Sequence, residues 1–453
     1  MGGFKVRRQE TVFVVPEIPT KNESIVLSNI DDQPGVRVQA VVIMSFKGRQ
    51  LEEGKNDDPA KVIKQALAKT LVYYYPFAGR IRPVAAGNNQ KLIVDCNNKG
   101  ALFIEADANV TLEEIQTQIL PPCPLLGELL YDVPGSSGII GCPLLLFQVT
   151  RLLCGGYILA IRFNHTMCDM LGFMQFLYAM VELSRGAQEP SIMPVWQREL
   201  LCARYPPKVT CTHHEYEKAK DKTYELVKEG GSNMNQEGFF FGPEKIEAIR
   251  NHLPSNLRHS CSSFEVLCAC VWRCRVLALQ PDPEDIVQFS MTVSVRENNI
   301  IVLPLGYYGN SFVSPAITTK AKELMHDTSL AYALQLVKES RDKANEEYAK
   351  SMIDYMVMEG MPNYYKQNLS WMATNLTRKG LEFVDFGWGS PSYSGVPKGT
   401  SLVSTFTRFK DANKKDVIAV VLELPKEALL RFRKELGRFV GDVSRPIFAR
   451  SRL

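Results

Sequence analysis

The sequence predicts a mixed α/β protein built from two halves of similar size. Short apolar runs typical of β-strands alternate along the chain with segments in which apolar residues recur at helical spacing. The 453 residues are enough for at least two domains of roughly 100–200 residues each. A stretch with four prolines between positions 190 and 207 interrupts the pattern. We therefore expect an N-terminal domain at 1–188, a crossover at 189–220 and a C-terminal domain at 221–453.

The composition narrows the class of protein. Hydrophobic residues make up 45% and charged residues 23% of the chain, as in soluble globular proteins, which excludes collagen-like and disordered classes. The net charge of +4 is too small to favour nucleic acid or a membrane surface as the main partner. The eleven cysteines are too few for a disulfide scaffold in a chain of 453 residues. They contain no CxxC pair, so neither a zinc ribbon nor a thioredoxin-like motif is expected, and a reducing compartment is favoured.

Local signals place the elements of the first half in order. Asp58 as N-cap and Pro59 in the first turn open a helix that continues to Tyr73. Two glycines, Gly155 and Gly156, supply a turn between two strands. The other elements expected here are a hairpin of residues 91–95 and 101–105, the strands at 144–151 and 157–163 that flank this turn, and a helix with an apolar stripe from Phe173 to Leu183.

The second half begins again after the proline-rich stretch. Ser262 and Glu265 have the spacing of a capping box, which predicts the start of an apolar helix that continues to about Leu279. The other elements expected here are a strand at 238–241, a helix from Pro243, a long helix from Thr328 to Glu347, a strand-like run from Leu381 to Val384, a strand from Asp416 to Leu424 and a last helix opened by Pro425.

One histidine stands out among the six in the chain. Only His165 is followed by an aspartate at the fourth position, Asp169. The pair follows an apolar strand and precedes Gly172 and an apolar helix, so we expect the imidazole at a strand end, where sites on α/β scaffolds are commonly built. On spacing alone, a hydrogen-bonded core histidine beside a helix-capping aspartate remains an alternative.

A second signal is the run Asp385-Phe386-Gly387-Trp388-Gly389. Glycine permits tight turns, and tryptophan offers a large apolar face with one N–H donor. Such a turn can form a wall for a flat or acyl ligand, and a packed β-turn is the alternative.

The two motifs lie about 220 residues apart and together resemble those of the plant BAHD acyltransferases. Matching stretches are Tyr74–Arg80, Gln148–Arg151 and Gly306–Asn310. The resemblance covers nearly the whole chain. It implies two mixed-sheet domains of the chloramphenicol-acetyltransferase-like type, with coenzyme A in a tunnel between them.

The resemblance also implies roles for individual residues. His165 would be the general base that removes the proton of an alcohol as the alcohol attacks an acyl-CoA thioester. Asp169, paired with Arg296, would support the site, as would Asp385 and Gly389. The other residues implicated are Trp388, Ser262, Ser263 and Asn310 for the oxyanion and acyl-CoA, and Met44 and Phe46 for the acceptor pocket. The capping box by itself also explains the two serines, and core packing at a strand end also explains Met44 and Phe46.

Within the family, the chain is most similar to members that transfer benzoyl from benzoyl-CoA to benzyl alcohol, which gives benzyl benzoate on the route to salicylic acid. The stretches that support this are Val6–Gln9, Leu129–Pro134 and Cys211–Tyr216. Acyl-CoA, here benzoyl-CoA, is expected as co-substrate, with no permanently bound cofactor and no metal site. Three alternatives remain: transfer of acetyl or another acyl group to a specialised terpenoid or alkaloid alcohol, an acyl-enzyme on Cys168, and a catalytically silent binding protein.

The last three residues, Ser451, Arg452 and Leu453, resemble a peroxisomal import signal of the Ser-Lys-Leu type. We therefore expect the import receptor to bring the protein to the peroxisome. If the receptor does not recognise these three residues, we expect a cytoplasmic location. The expected partners are small-molecule substrates, acyl-CoA and an alcohol, with neither nucleic acid nor membrane, and the protein is expected to be a monomer.

Overall fold

The computed structural model describes residues 3–48, 58–84, 91–217, 234–326, 329–362, 369–411 and 413–441. The strands are β1 (Val6–Arg8), β2 (Val12–Val14), β3 (Glu23–Val26), β4 (Gln39–Phe46), β5 (Arg80–Pro83), β6 (Leu92–Cys96), β7 (Ala101–Ala108), β8 (Leu145–Arg151), β9 (Tyr157–Asn164), β10 (Met234–Phe241), β11 (Ile286–Met291), β12 (Val293–Ser294), β13 (Phe312–Val313), β14 (Ala316–Lys320), β15 (Ser370–Asn375), β16 (Tyr393–Gly395), β17 (Val403–Lys410) and β18 (Asp416–Pro425). The helices are α1 (Pro59–Tyr73), α2 (Leu112–Ile115), α3 (Leu126–Leu129), α4 (Met170–Ser184), α5 (Pro243–Asn251), α6 (Ser255–Arg258), α7 (Ser263–Leu279), α8 (Ala321–Met325), α9 (Ser329–Asp342), α10 (Glu346–Met358) and α11 (Lys426–Val440). The predicted mixed α/β class is confirmed. None of these described helices is both long and apolar enough to span a bilayer.

A seven-stranded mixed sheet organises the first half. Its order is β1-β7-β8-β9-β4-β16, and β2 also pairs with β7. The β7–β8 pair is parallel, whereas β8, β9 and β4 run antiparallel. Helices α1 and α4 pack together, and their apolar stripes share one core with the sheet. The Asp58 carboxylate caps α1 by accepting a hydrogen bond from the Ala60 amide (3.4 Å), as the sequence predicted.

The prediction that residues 91–95 and 101–105 form a hairpin is wrong. Both runs are strands, but β6 pairs with β3 and β5 in a separate three-stranded sheet, whereas β7 joins the seven-stranded sheet. The connection between them includes two residues in the left-handed region, Asn98 (φ 54°) and Gly100 (φ 80°). The Gly100 amide donates to the carbonyl of Ala78 (2.9 Å). The chain therefore turns away after β6, and neighbouring segments enter different sheets.

The second half is built on a six-stranded mixed sheet with the order β10-β18-β17-β15-β11-β14. Helix α7 is buried along nearly its whole length and forms the centre of this core with Trp272, Trp371 and Phe406. The predicted capping box is present, because Glu265 and Ser262 each bind the other's backbone amide.

The long helix predicted from Thr328 to Glu347 is instead two helices. Helix α9 ends at Asp342, and the side chain of Asn345 accepts a hydrogen bond from the Tyr348 amide (2.9 Å), which starts α10. An internal N-cap therefore breaks an otherwise helical apolar pattern. Thr328 itself lies outside the described residues.

A segment from the second half of the chain, β16, joins the sheet of the first half. The strand-like run expected from Leu381 to Val384 is a short 3-10 turn at Leu381–Phe383. Strand β16 follows it and pairs antiparallel with β4, with Tyr393 opposite Ser45. The proposed domain boundaries at 188 and 221 stay a prediction.

Candidate active site

His165 lies where the strand–turn–helix pattern predicted, directly after β9 and before α4. Its backbone amide donates to the carbonyl of Val38 (2.9 Å), and its carbonyl accepts from the side-chain amide of Asn310 (2.8 Å). Gly172 lets the first turn of α4 approach the second half, because a Cβ there would lie 1.9 Å from the carbonyl oxygen of Tyr308. The peptide that carries the imidazole is therefore held by segments from both halves.

A cavity of about 1750 Å³ lies between the two halves, and His165 lines it. The side chain of His165 is half-buried. The cavity wall includes Val36, Phe163 and Leu171 from the first half and Phe312, Met372 and Thr374 from the second half. The ring centroids of Phe163 and Phe312 lie 6.0 Å and 6.4 Å from that of the imidazole, so its immediate surroundings include two aromatic rings. The volume is large enough for a small-molecule ligand with an extended carrier.

Burial lowers the pKa of His165 below its ordinary value of 6.5, and the nearby carboxylates of Asp169 and Asp31 oppose that shift only in part. The ring is therefore neutral at physiological pH, the state that a general base requires. In the described part of the chain, the Nδ1 atom has no hydrogen bond to another residue. Among the described residues, no carboxylate forms a hydrogen bond to Nδ1 that would orient this ring in the manner of a Ser-His-Asp relay.

Asp169 points away from the imidazole, and its carboxylate is occupied by structural contacts. One oxygen, Oδ1, accepts from the Gly172 amide and lies 2.9 Å from the Arg296 guanidinium. The other, Oδ2, accepts from the backbone amide and the hydroxyl of Ser311, both at 3.0 Å. Arg296 also donates to the carbonyl of Tyr307. The two residues that we expected to pair are thus in contact, at the start of α4.

Asp385 holds the glycine-rich turn together. Its Oδ1 accepts from the amides of Gly387 and Gly389, both at 2.8 Å, and its Oδ2 lies 2.6 Å from the Arg185 guanidinium. Both glycines have positive φ, 110° and 83°, which residues with a side chain adopt at a cost. Asp385 and Gly389 therefore shape a turn and lie off the cavity wall.

The suggested contact of Trp388 with the oxyanion is not supported. Trp388 is absent from the cavity wall and packs its ring edge-to-face on Tyr157, with the centroids 5.5 Å apart. The positive-φ glycines on either side direct the indole back onto the core of the first half. The structure therefore places this residue away from the wall of the cavity that His165 lines.

The structure also places Met44 and Phe46, the residues predicted for the acceptor pocket, away from the cavity wall. Both side chains are fully buried in the core of the first half, and Phe46 stacks on Tyr157 at 4.5 Å. The cavity meets the opposite end of β4, at residues 39–41. At about 3.3 Å per residue, Phe46 lies some 20 Å along the strand from that end. Core packing, the alternative noted for both residues, agrees with this placement.

Ser262 and Ser263 line the cavity at the start of α7. Beside them, Arg250 donates to the carbonyls of Arg258 (2.7 Å) and Cys261 (2.9 Å) and weakly to the Ser263 hydroxyl (3.4 Å). Within the described residues, Arg250 has no carboxylate partner. The cavity therefore has a cation and a helix N-terminus at one wall, a combination that favours anions.

Asn310 and Cys168 lie behind the cavity wall. Asn310 is fully buried and contacts the backbone of His165, so its predicted contact with acyl-CoA is replaced by a contact with the histidine peptide. Cys168 is fully buried as well, and burial raises the pKa of its thiol well above the ordinary value. This disfavours the thiolate that a covalent acyl-enzyme would need.

Sequence reasoning missed three buried residues that surround the histidine peptide. They are Asp31, Arg198 and Ser311. Each acts through a contact far along the chain: Asp31 with Asn310, Arg198 with the carbonyl of Met167, and Ser311 with Asp169. No local sequence motif indicates a role for any of the three. The only related observation in the sequence is the family-like stretch Gly306–Asn310, which contains the partner of Asp31 and directly precedes Ser311.

Comparisons with known proteins agree with this geometry. The model of the Transferase family matches residues 4–438. Alcohol acyl transferase 2 of Malus domestica is 47% identical over 441 residues, which is 97% of this chain and 95% of that protein. Benzyl alcohol O-benzoyltransferase of Petunia hybrida is 47% identical over 445 residues, again 97% and 95% of the two chains.

Solved structures show the same fold at low identity. Vinorine synthase superposes with a TM-score of 0.71 at 21% identity, over 97% of this chain and all of that one. TRI101 of F. graminearum, solved with coenzyme A and deoxynivalenol, gives a TM-score of 0.71 at 15% identity, over 92% and 99% of the two chains.

The family model and these relatives define the class of protein as a coenzyme A-dependent acyltransferase, and a histidine on the cavity between the two halves agrees with that class. The chain belongs to the Transferase family of plant BAHD acyltransferases, and it is an acyl-CoA:alcohol acyltransferase.

Proposed function

We propose that this protein transfers the benzoyl group of benzoyl-CoA to benzyl alcohol and releases benzyl benzoate and coenzyme A. The observation that carries the reaction type is the half-buried imidazole of His165 on the wall of a cavity between the two halves. Its lowered pKa favours the neutral ring. An aromatic acyl group and an aromatic alcohol suit the apolar walls around this ring, which include Phe163 and Phe312.

His165 would act first as a base and then as an acid. As the alcohol oxygen attacks the thioester carbon, the imidazole takes the hydroxyl proton. The tetrahedral oxyanion then reforms the carbonyl, the C–S bond breaks, and the imidazolium gives its proton to the leaving thiolate. Ester and free coenzyme A thiol are the products, and no acyl-enzyme is formed.

The phosphates of coenzyme A would bind at the wall formed by the start of α7. Arg250 lines the cavity there, Lys398 also lines the cavity, and neither forms an ion pair with a carboxylate of the described residues. The hydroxyls of Ser262 and Ser263 lie at the same wall, although Ser262 is also used by the capping box. The Arg250 cation and a helix N-terminus would together oppose the charge of a phosphate group.

The donor and acceptor are supported by the Petunia benzyl alcohol O-benzoyltransferase at 47% identity. The alternative is transfer of acetyl or another acyl group to a different alcohol, including a specialised terpenoid or alkaloid alcohol. Alcohol acyl transferase 2 of Malus domestica, equally similar at 47%, supports transfer to an alcohol and does not specify benzyl alcohol.

A matrix of acyl-CoAs and alcohols with the purified protein tests the proposal. Benzoyl-CoA with benzyl alcohol should give the highest kcat/KM among the pairs. A higher kcat/KM for acetyl-CoA, or no ester from benzyl alcohol, would contradict this proposal and favour transfer of acetyl or another acyl group to a different alcohol.

We further propose that the protein works as a monomer in the peroxisome, to which the import receptor would bring it through Ser451–Leu453. That tail lies outside the described residues. A fluorescent protein fused in front of the complete chain should co-localise with a peroxisomal marker, and deletion of the three residues should leave it in the cytosol. Cytosolic signal from both versions would contradict the targeting proposal. Size-exclusion chromatography with light scattering should give the mass of one chain, 51.0 kDa.

A further inference from the structure

Asp31 is a fully buried carboxylate behind the histidine peptide, and no step of the transfer reaction uses it directly. Its Oδ1 accepts two hydrogen bonds from Asn310, one from the backbone amide and one from the side-chain amide, both at 2.8 Å. Its Oδ2 accepts from the hydroxyl of Ser28 (2.7 Å). The carboxylate thus fastens a segment of the first half to the stretch that contains Asn310 in the second half.

The contacts of Asn310 determine which way its side-chain amide faces. Its NH₂ group donates both to Asp31 Oδ1 and to the carbonyl oxygen of His165, each at 2.8 Å. Both partners are acceptors only, so the amide must present nitrogen to them and cannot be reversed. The Asp31 carboxylate therefore fixes the orientation in which Asn310 can hold the His165 peptide.

Arg198 stabilises the buried negative charge of Asp31. Its Nε lies 3.5 Å from Asp31 Oδ2, and its Nη2 donates to the carbonyl of Met167 (2.9 Å). The guanidinium packs over the rings of Trp196, at 4.2 Å, and Tyr308, at 4.8 Å. The ion pair is sealed from solvent, since both side chains are essentially unexposed.

We propose that Asp31 is a positioning residue of the acyl transfer, which acts through Asn310 to hold the His165 peptide and so aims the imidazole at the reacting carbonyl. This inference rests on the proposed role of His165 as the base. An imidazole that is displaced by about 1 Å can lose on the order of 10²-fold in rate, although the residue that moved it is remote from the chemistry.

The Asp31→Asn variant tests this role, because it keeps the size of the side chain and removes the charge and one acceptor. We expect kcat to fall about tenfold to a hundredfold, with KM for acyl-CoA and for the alcohol within about threefold of the wild-type values. Since the Asp31 carboxylate raises the pKa of His165, the acid limb of the pH–kcat/KM profile should also shift to lower pH.

Asp354→Asn is the matched control. Asp354 is also a fully buried aspartate paired with an arginine, Arg204 (2.6 Å), but it lies outside the cavity wall and the histidine network. This variant should lose thermal stability and keep its kcat. An Asp31→Asn protein that is folded and has wild-type kcat, or one whose kcat falls no more than that of Asp354→Asn, would overturn the inference.

Asn310→Ala provides a second route if Asp31→Asn does not fold. It removes the bond to the His165 carbonyl and leaves the Asp31–Arg198 pair in place, so kcat should fall by a similar factor. Wild-type kcat in Asn310→Ala would also overturn the inference. His165→Ala separates the two levels: turnover retained there defeats the proposed function, whereas an inactive His165→Ala beside a fully active Asp31→Asn defeats only this inference.

Discussion

Arg296 and Asp169 meet at 2.9 Å where the second half of the chain contacts the turn that carries His165. The carboxylate also caps α4 and binds Ser311, so one side chain joins a helix start to two segments of the other half. The pair is largely buried, with 20% of the Arg296 side chain and 11% of the Asp169 side chain exposed. Asp169 thus stabilises the structure around His165, the candidate general base.

Arg296→Gln should lower the free energy of unfolding by about 3 kcal/mol, because it leaves Asp169 buried without its ionic partner. The more exposed pair of Arg185 and Asp385 offers the control, and Arg185→Gln should cost less than about 1 kcal/mol. Urea titration of both variants measures the difference. Equal losses in the two would contradict the structural role of Asp169.

His165→Ala should lower kcat by 10²–10⁴-fold, the typical contribution of a general base, while the Kd for coenzyme A changes little. Single-turnover kinetics and calorimetric titration measure the two quantities. His252, which packs on Phe439 away from the cavity, gives a control, and His252→Ala should keep its kcat. A His165→Ala enzyme with normal turnover would remove the base from the mechanism.

The pH profile should report a histidine whose pKa is below 6.5. Burial disfavours the imidazolium, so His165 stays neutral, and able to accept a proton, as the pH falls to 6.5. Activity should disappear only at lower pH, as the ring becomes protonated. We expect the acid limb of kcat/KM to have its midpoint below 6.5, and a midpoint above that value would contradict the buried environment of the base.

Trp388→Phe should leave kcat within about threefold of the wild-type value. The substitution keeps an aromatic ring against Tyr157 and removes only the indole N–H, which lies off the cavity wall. Loss of a true oxyanion donor would cost about 10²–10³-fold. Steady-state kinetics of a thermally stable variant distinguish these outcomes, and a loss of the larger size would restore Trp388 as a donor.

Arg250→Gln should raise KM for acyl-CoA about tenfold and leave KM for the alcohol nearly unchanged, because the cation is expected to face a phosphate group. Arg433→Gln, which removes a surface arginine paired with Glu237, serves as the control and should change neither KM. If Arg250→Gln leaves KM for acyl-CoA at the wild-type value, the phosphate site must lie elsewhere on the cavity wall.

Local signals in the sequence predicted local structure well. The cap at Asp58, the box of Ser262 with Glu265 and the strand–turn–helix around His165 are all present, because each depends on residues within a few positions of one another. The resemblance added the contact of Asp169 with Arg296, 127 positions apart. Family knowledge supplied that long-range pair, which spacing along the chain cannot give.

What could not be predicted is decided by packing between distant segments. Asp31 and Asn310 are 279 positions apart, and nothing beside either residue indicates the other. Trp388 and Phe46 have the composition of ligand-binding residues, but both contact Tyr157 in the core. Large apolar side chains are frequent both in protein cores and in ligand pockets. The residue type alone therefore does not show in which of these two environments a side chain lies.

The pairing of β16 with β4 has a consequence for synthesis on the ribosome. Strand β4 ends at Phe46, whereas its neighbour begins at Tyr393, so most of the polypeptide is translated before this edge can be covered. At typical elongation rates that interval lasts tens of seconds, during which a nascent chain exposes an open, apolar strand. The edge of β4 should therefore need chaperone protection until late in translation, and the amino-terminal half released as a fragment should aggregate.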